Sequence, residues 1–295
     1  MITVMGATGN TGGRIAKSLL KQGHEVRAIG RNEERLAELR ALGAEVRIGD
    51  TMDTDFLAEA FDGSAAVYTL LHTDPRSPDY RAAQDQHGEA IVAALRSSAI
   101  PYVVALSSLG VDQGEDTGAI AGIAAQEERL RQLEDVNVLL LRPVSFFENF
   151  FEAIELIQTQ GIIADSVNAD MPIPMIATQD IAAVAVEALA ARDWKGVVVR
   201  DLLGERDLSY SEATRIIGDR IGRPDLAYVQ LPYDEMTLAL VQAGMSQSFA
   251  RLYTEMTRSF NEGRVGTEPA RIPDNTTPTT FEQFADEFAA LLATA

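Results

Sequence analysis

The stretch ITVMGATGNTGG, residues 2–13, constrains this chain more than any other. A short apolar β-run ends at Gly6, and Gly6, Gly9 and Gly12 then fall at three-residue intervals into a helix start. Each glycine has its own physical task. Gly6 allows the tight turn off the strand, Gly9 lets the backbone approach a pyrophosphate, and Gly12 permits close packing of the helix on the sheet. A helix over about 11–22 points its N-terminal amides at the phosphates. The second strand, HEVRAIG (24–30), completes a βαβ unit. A glycine-rich turn can exist without a ligand, but strand, glycines, helix and strand in this order form a dinucleotide-binding fingerprint.

The choice of nucleotide is made at the end of the second strand, where an acid usually holds the ribose 2′-hydroxyl of the unphosphorylated cofactor. Gly30 and Arg31 stand there instead. Glycine leaves room, and a guanidinium forms a forked, charge-assisted pair with a 2′-phosphate, so NADP(H) is the expected cofactor. Arg35, one helical turn on, either closes over the same phosphate or is solvated and paired with Glu33, Glu34 or Glu38.

Composition narrows the remainder. At 295 residues and 46% hydrophobic content the chain can bury a large α/β core. It has no cysteine, which excludes disulfides, thiolate nucleophiles and Cys-ligated metals. The three histidines, His24, His72 and His87, lack metal-ligand spacing, so no metal is expected. A net charge of -19 argues against nucleic acid as a direct partner, because a phosphate backbone demands clustered positive charge. No charged leader precedes an apolar segment and no run approaches the length of a membrane span, so a cytoplasmic location with no membrane partner is expected.

Beyond Arg31, helices (32–43, 53–63, 80–98, 120–133) alternate with strands (45–50, 65–71, 102–108, 136–143), with a two-proline loop over 73–80. Such alternation predicts an α/β fold, a doubly wound parallel Rossmann sheet with helices on both faces. After Pro143 the rhythm changes to a helix over 145–161, a proline-bearing stretch, a helix over 180–192, a strand over 196–202, and helices over 211–222, 234–262 and 280–292. The expected organisation is a nucleotide-binding Rossmann domain over 1–150, to which 177–205 returns. A smaller, mainly helical lobe for substrate or partner is expected from 151–176 and 206–295.

In an open parallel sheet, ligands lie beyond the carboxyl ends of the strands. Asp50 and Thr51 end the third strand, where an adenine amino group is met, although GDTMD (49–53) suits an aspartate that caps or turns the chain equally well. Together GATGNTGG, Arg31, Gly49 with Asp50, SSLGVD (107–112), LLLRPVSFFEN (139–149) and ATQDIA (177–182) resemble the NmrA-like branch of the atypical short-chain dehydrogenases, over about residues 1–205. The resemblance implies a Rossmann fold with bound NADP(H). Its members range from reductases of quinones, dyes or phenylpropanoids to redox-sensing regulators that bind the cofactor without turning it over. Carried to this sequence, it implies that Gly6, Thr8, Gly9, Asn10, Thr11 and Gly12 form the pyrophosphate loop and that Arg31 meets the 2′-phosphate. It likewise implies that Asp50 and Thr51 face adenine and that Leu70, Leu71 and His72 edge the ribose. Ser107 and Ser108 are implied at the nicotinamide, with Pro143–Phe146, Phe147, Glu148 and Asn149 as the facing wall.

One departure stands out. Typical short-chain dehydrogenases place a lysine four residues after a tyrosine, where it lowers the phenol pKa and holds the ribose. The lysines here are Lys17, Lys21 and Lys195, and none has a tyrosine four residues before it. The resemblance implies a lysine or histidine in the helix before the strand that ends in RP, whereas GAIAGIAAQEERL (118–130) has no lysine, histidine or tyrosine. Ser108, Tyr210, Tyr228, Tyr233, Tyr253 and His72 remain as acids, but no pattern assigns one as catalytic, and His72 also reads as an ordinary loop histidine. Met236, Met245 and Met256 recur at helical spacings and read as core, while Gly244 offers a point where one helical piece folds over a pocket. The expected function is NADP(H)-dependent reduction of a small quinone, enone or carbonyl compound. The alternative is a non-catalytic NADP(H) sensor acting through a protein partner, and the oligomeric state is open.

Overall fold

The structure, a computed structural model, describes residues 1–114, 116–265 and 269–294. Its first half alternates strictly: β1 (Ile2–Val4), α1 (Asn10–Lys21), β2 (Val26–Gly30), α2 (Glu33–Ala41), β3 (Glu45–Ile48), α3 (Thr54–Phe61), β4 (Ala66–Leu70), α4 (Tyr80–Ser97), β5 (Tyr102–Leu106), α5 (Ile120–Arg131) and β6 (Asn137–Pro143). The second half is less regular: β7 (Ser145–Phe146), α6 (Ile154–Gln160), β8 (Ile162–Asp165), β9 (Ile173–Ile176), α7 (Thr178–Ala191), β10 (Val197–Leu202) and β11 (Asp207–Leu208). Then come α8 (Tyr210–Arg220), β12 (Ala227–Gln230), α9 (Tyr233–Gln242), α10 (Gln247–Asn261) and α11 (Phe281–Leu292).

Seven parallel strands form the main sheet in the order β10-β6-β5-β4-β1-β2-β3. VRAIG and AVYTL are buried because helices cover both faces, and the one charge among them, Arg27, is paired with Glu45. On one face α1, α2 and α7 supply Ile15, Leu19, Leu36, Ile181 and Leu189; on the other α3, α4 and α5 supply Leu57, Phe61, Ile91, Leu95 and Leu130. Strand order reverses between β1 and β4, and the reversal opens a crevice beyond their carboxyl ends. A third apolar cluster, including Phe147, Phe150, Ile163, Met175, Leu208, Ile217, Phe281 and Phe288, gathers the segments that follow β6. Among the described residues no helix is long and apolar enough to cross a membrane.

Three local expectations are corrected. The helix expected over 145–161 is a strand at Ser145–Phe146 that pairs with Met175–Ile176, a 3-10 run over Phe147–Ala153, and only then α6. The phenylalanines that mimic a helical period instead pack on α11, with the ring centroid of Phe147 5.0 Å from that of Phe281 and Phe151 5.2 Å from Phe284. The single helix expected over 234–262 breaks at Gly244, which takes φ +88, and restarts where the Ser246 hydroxyl accepts the Phe249 N–H. The short strands β8, β9, β11 and β12, not foreseen, form two small sheets, the first of them with β7.

Where β5 and β6 end, an ionic network joins them to α5. Ser107 Oγ donates to Glu127 Oε1 at 2.5 Å, and Arg142 donates to Glu127 at 2.8 and 2.6 Å and to Asp112. Glu127 and Arg142 are both buried. Burial raises the Glu127 pKa, but the bonds from Arg142 and Ser107 outweigh it and hold the carboxyl below the ordinary range. A carboxyl lowered in this way adds stability above its unfolded pKa and loses it as the pH falls through the folded value. Glu127→Gln removes the buried one of the two carboxylates that pair Arg142, leaving Asp112, and should cost about 1–3 kcal/mol at neutral pH. In urea unfolding the variant should also lose part of the wild-type acid dependence; an unchanged midpoint would contradict the role given to this pair.

Candidate functional site

The glycine turn is built from three different constraints. Gly6 sits at φ +61, and a Cβ there would lie 2.7 Å from Leu70 Cδ2. At Gly12 a Cβ would lie 2.4 Å from the Gly6 carbonyl oxygen and 2.6 Å from that of Met5, so the first turn of α1 rests directly on the end of β1. Gly9 is different: its backbone at φ -99, ψ 179 suits any residue, and an added Cβ would meet only the Gly6 oxygen at 3.4 Å. Nothing in the chain requires glycine at position 9, and what the residue preserves is the open space above it. The N–H groups of Thr8, Asn10, Thr11 and Gly12 have no acceptor among the described residues, and Gly9 has no side chain with which to cap them. A concavity of free amides at a helix N-terminus fits a pyrophosphate.

Beside this turn lies a cavity of about 390 Å³ whose lining includes Thr8, Asn10, Arg14, Lys17, Arg35, Glu38 and Glu287. Arg35 donates from Nη2 to the Thr8 carbonyl at 3.0 Å and forms none of the glutamate pairs considered for it. Asn32 caps α2 by accepting the Arg35 N–H, which sets the helix that carries this arginine. Lys17 pairs with Glu38 at 2.7 Å and Arg14 with Glu287 at 2.6 Å. Arg31 is exposed, outside the cavity lining, and makes no hydrogen bond or ion pair among the described residues. Its positive charge reaches His72 and His87: desolvation first, then Arg31, holds His72 below the ordinary histidine range, and burial above all holds His87 at about 4. His72 is an exposed rim residue whose backbone N–H donates to His87 Nδ1 at 3.4 Å.

A second cavity of about 200 Å³ opens beyond β5 and β6. Leu109, Ile120, Ile123, Val144, Phe146, Pro174, Met256 and Phe260 make it largely apolar, and Ser108, Ser145 and Asn149 are its polar side chains. Among the described residues no Asp, Glu, Lys, Arg, His or Tyr lines it. Met256 and Phe260 come from α10, which is docked by the Gly118 N–H donating to Glu255 at 3.2 Å, the Ser246 N–H to the Pro75 carbonyl at 2.9 Å, and the Tyr80 N–H to Ser248 Oγ at 3.0 Å. The methionine stripe thus divides: Met236 is core, whereas Met256 faces the cavity. Helical spacing alone does not separate the two.

Residues 6–192 match the family model described as NAD(P)H-binding. The chain belongs to the NmrA-like family of atypical short-chain dehydrogenases. A Streptomyces griseus (4-alkanoyl-5-oxo-2,5-dihydrofuran-3-yl)methyl phosphate reductase is 30% identical over 241 residues, covering 82% of this chain and 80% of that protein. An NmrA-like family domain-containing oxidoreductase of Aspergillus hancockii is 45% identical over 80 residues, 26% of this chain and 24% of the relative. In fold, the chain is similar to the triphenylmethane reductase of Citrobacter sp. complexed with NADP(H), with TM-score 0.79 at 20% identity, covering 98% and 100% of the two chains. NAD(P)H is accordingly the cofactor class of this NmrA-like protein.

Several side chains expected at the cofactor are engaged elsewhere. Thr11 is buried and accepts the Tyr68 hydroxyl at 3.0 Å, leaving only its backbone N–H for a phosphate. Ser107 is committed to Glu127, and buried Pro143 accepts the Leu109 N–H at 2.9 Å, so neither side chain lines the apolar cavity. Ser108 does line it, although its hydroxyl donates to the Leu109 carbonyl at 2.9 Å. In the expected wall, Phe146 and Asn149 face the cavity, but Phe147 joins the third core and Glu148 accepts the Thr178 N–H at 3.0 Å, capping α7. Asp50 takes its turn reading, accepting the Met52 N–H at 2.9 Å, while Thr51 is half-buried. Leu70 packs against both faces of the sheet and Leu71 against one.

None of the tyrosines held in reserve as acids reaches either cavity. Tyr228 donates to the Val167 carbonyl at 2.7 Å, Tyr253 to Asp165 at 2.6 Å, Tyr233 accepts from Asn261 at 2.7 Å, and Tyr210 is buried in the third core. The division of labour among the glycines gives a direct test. Gly9→Val should leave thermal unfolding of the apo chain within about 1 kcal/mol of wild type, the usual scale of an N-cap change. In fluorescence titration the same variant should lose NADPH binding, and retained affinity would contradict the assignment of the space above Gly9.

Proposed function

We propose that this chain is an NADP(H)-dependent reductase of small, electron-poor acceptors, quinones or enones in preference to simple ketones. The observation that carries the reading is the lining of the apolar cavity, where Ser108, Ser145 and Asn149 offer hydrogen bonds but, among the described residues, no side chain is a proton donor of useful acidity. The Asn149 side chain lines the cavity and has no hydrogen-bond partner among the described residues, so its amide is free to donate to an acceptor oxygen. Bound NADPH supplies the hydride. A delocalised product anion is stabilised by hydrogen bonds alone and takes its proton from water, whereas the alkoxide of a simple ketone needs an acid at the developing charge. The Streptomyces relative supports this class, since the ring double bond in its substrate's name is conjugated to carbonyl groups.

In this reading the free amides of the glycine turn hold the pyrophosphate, and Arg31 with Arg35 takes the 2′-phosphate. Arg35 already bonds the loop carbonyl, so it orders the turn as well as charging it. Arg31, free of carboxylate partners, carries the selectivity.

Two measurements test this. Arg31→Ala should weaken NADPH binding by about 1.5–3 kcal/mol, tenfold or more, and leave NADH nearly unaffected; equal losses for both would assign Arg31 to structure. Steady-state NADPH oxidation should be faster with quinones and enones than with simple ketones by about a hundredfold or more, the usual worth of a missing acid. Fast ketone turnover would contradict the acid-free mechanism, and tight NADPH binding with no acceptor reduced would favour a cofactor sensor working through a protein partner.

A further inference from the structure

One of the two outer edges of the main sheet carries a run of three valines. Val197, Val198 and Val199 are each 37% exposed on β10, which pairs with β6 on one side only over this stretch. None of the three belongs to the cores on the two sheet faces. Edge strands of monomers are usually blunted by proline, bulges or charged side chains, and here the charges of the strand, Arg200 and Asp201, stand only beyond the valine run. VVVRDL has no proline, and its register with β6 runs unbroken from Val197–Val138 to Leu202–Pro143.

Backbone polarity fixes which groups are free. The Val138 N–H donates to the Gly196 carbonyl at 2.9 Å and the Val144 N–H to the Leu202 carbonyl at 3.3 Å, so even-numbered residues turn toward β6. The N–H and C=O groups of Val197, Val199 and Asp201 therefore turn outward. Past that point the edge is closed, because Leu203 exchanges bonds with Asn275 and Thr277 at 2.7 and 2.8 Å.

We propose that β10 is a self-association edge, on which two copies of this chain pair antiparallel about a two-fold axis at Val198 and join their sheets. Charge chooses the occupant and the register. With the axis at Val198, Val197 of each copy bonds Val199 of the other, Val198 meets itself, and Lys195 faces Asp201 twice. An axis at Val197 sets Asp193 against Asp201, and an axis at Val199 sends Lys195 to Leu203, which residues 275–277 already cover. The segment KGVVVRD (195–201), an apolar centre with opposite charges at its two ends, is complementary to its own reverse, as a two-fold contact requires. Lys195, Val197, Val199 and Asp201 alternate onto one sheet face, so the directly opposed pairs share a side.

Sedimentation velocity of the full chain should give twice the single-chain mass. Val198→Lys, which brings two ammonium groups together on the axis, should reduce that to the single-chain mass with an unchanged far-UV spectrum. Lys195→Asp and Asp201→Lys should each be single chains alone, yet form a mixed dimer when combined, because both cross-strand pairs are then opposite in sign. Should Asp201→Lys fail to fold beside Arg142, Val198→Lys and the amide exchange of Val197 and Val199, slow in wild type and fast in that variant, decide the matter. A wild-type chain of single mass at all concentrations, or a dimer that survives Val198→Lys, would overturn the proposal.

Discussion

The Gly6 carbonyl oxygen lies where a side chain at Gly12 would begin, 2.4 Å from its Cβ position, and the placement of the site follows from that crowding. With hydrogen alone at position 12, α1 starts directly on the end of β1 and its first amides meet the crevice at the strand-order reversal. The same helix carries Arg14, which pairs with Glu287 of α11 and stands 3.8 Å from Glu148. Glu148, pushed up by burial despite its bonds, caps α7 through Thr178. The glycine turn is thus tied to α7 and to the C-terminal helix by a continuous set of polar contacts.

The two cavities divide the chemical labour. One, beside α1 and α2, is rich in cations with two carboxylates to balance them, and suits a phosphorylated ligand end. The other, beyond β5 and β6, is apolar with three neutral polar side chains. Glu127 and Arg142, at the base of the same strand ends, are locked together and satisfied by Ser107 and Asp112. What reaches the cavity is decided as much by this network as by the residues that line it.

The doubly wound half was legible because buried parallel strands are rich in apolar runs, and AVYTL or the VLLL of NVLLLRP leaves little choice. Later segments were less so: SFFENFF has aromatic spacings that fit a helix, yet Phe147, Phe150 and Phe151 pack on α11 and hold a 3-10 run while Phe146 faces the cavity from a short strand. Strand ends pointed to where the apolar cavity opens, but position on a strand does not give side-chain direction. Ser107 and Ser108 are neighbours, and only the second reaches the cavity. Met256 and Phe260 are a contribution no spacing rule separates from core, and the break at Gly244 was the one sign that this part of the chain folds back over a pocket.

The central claim is reduction without a protein acid, and the pH dependence of the chemical step with deuterated NADPH tests it most directly. Single-turnover reduction of a quinone or enone should show a primary isotope effect and a rate constant flat from about pH 6 to pH 9, because no titrating side chain donates a proton in that step. A rate that falls with rising pH through one ionisation, with the isotope effect retained, would mean that a side chain does donate a proton and would contradict the account.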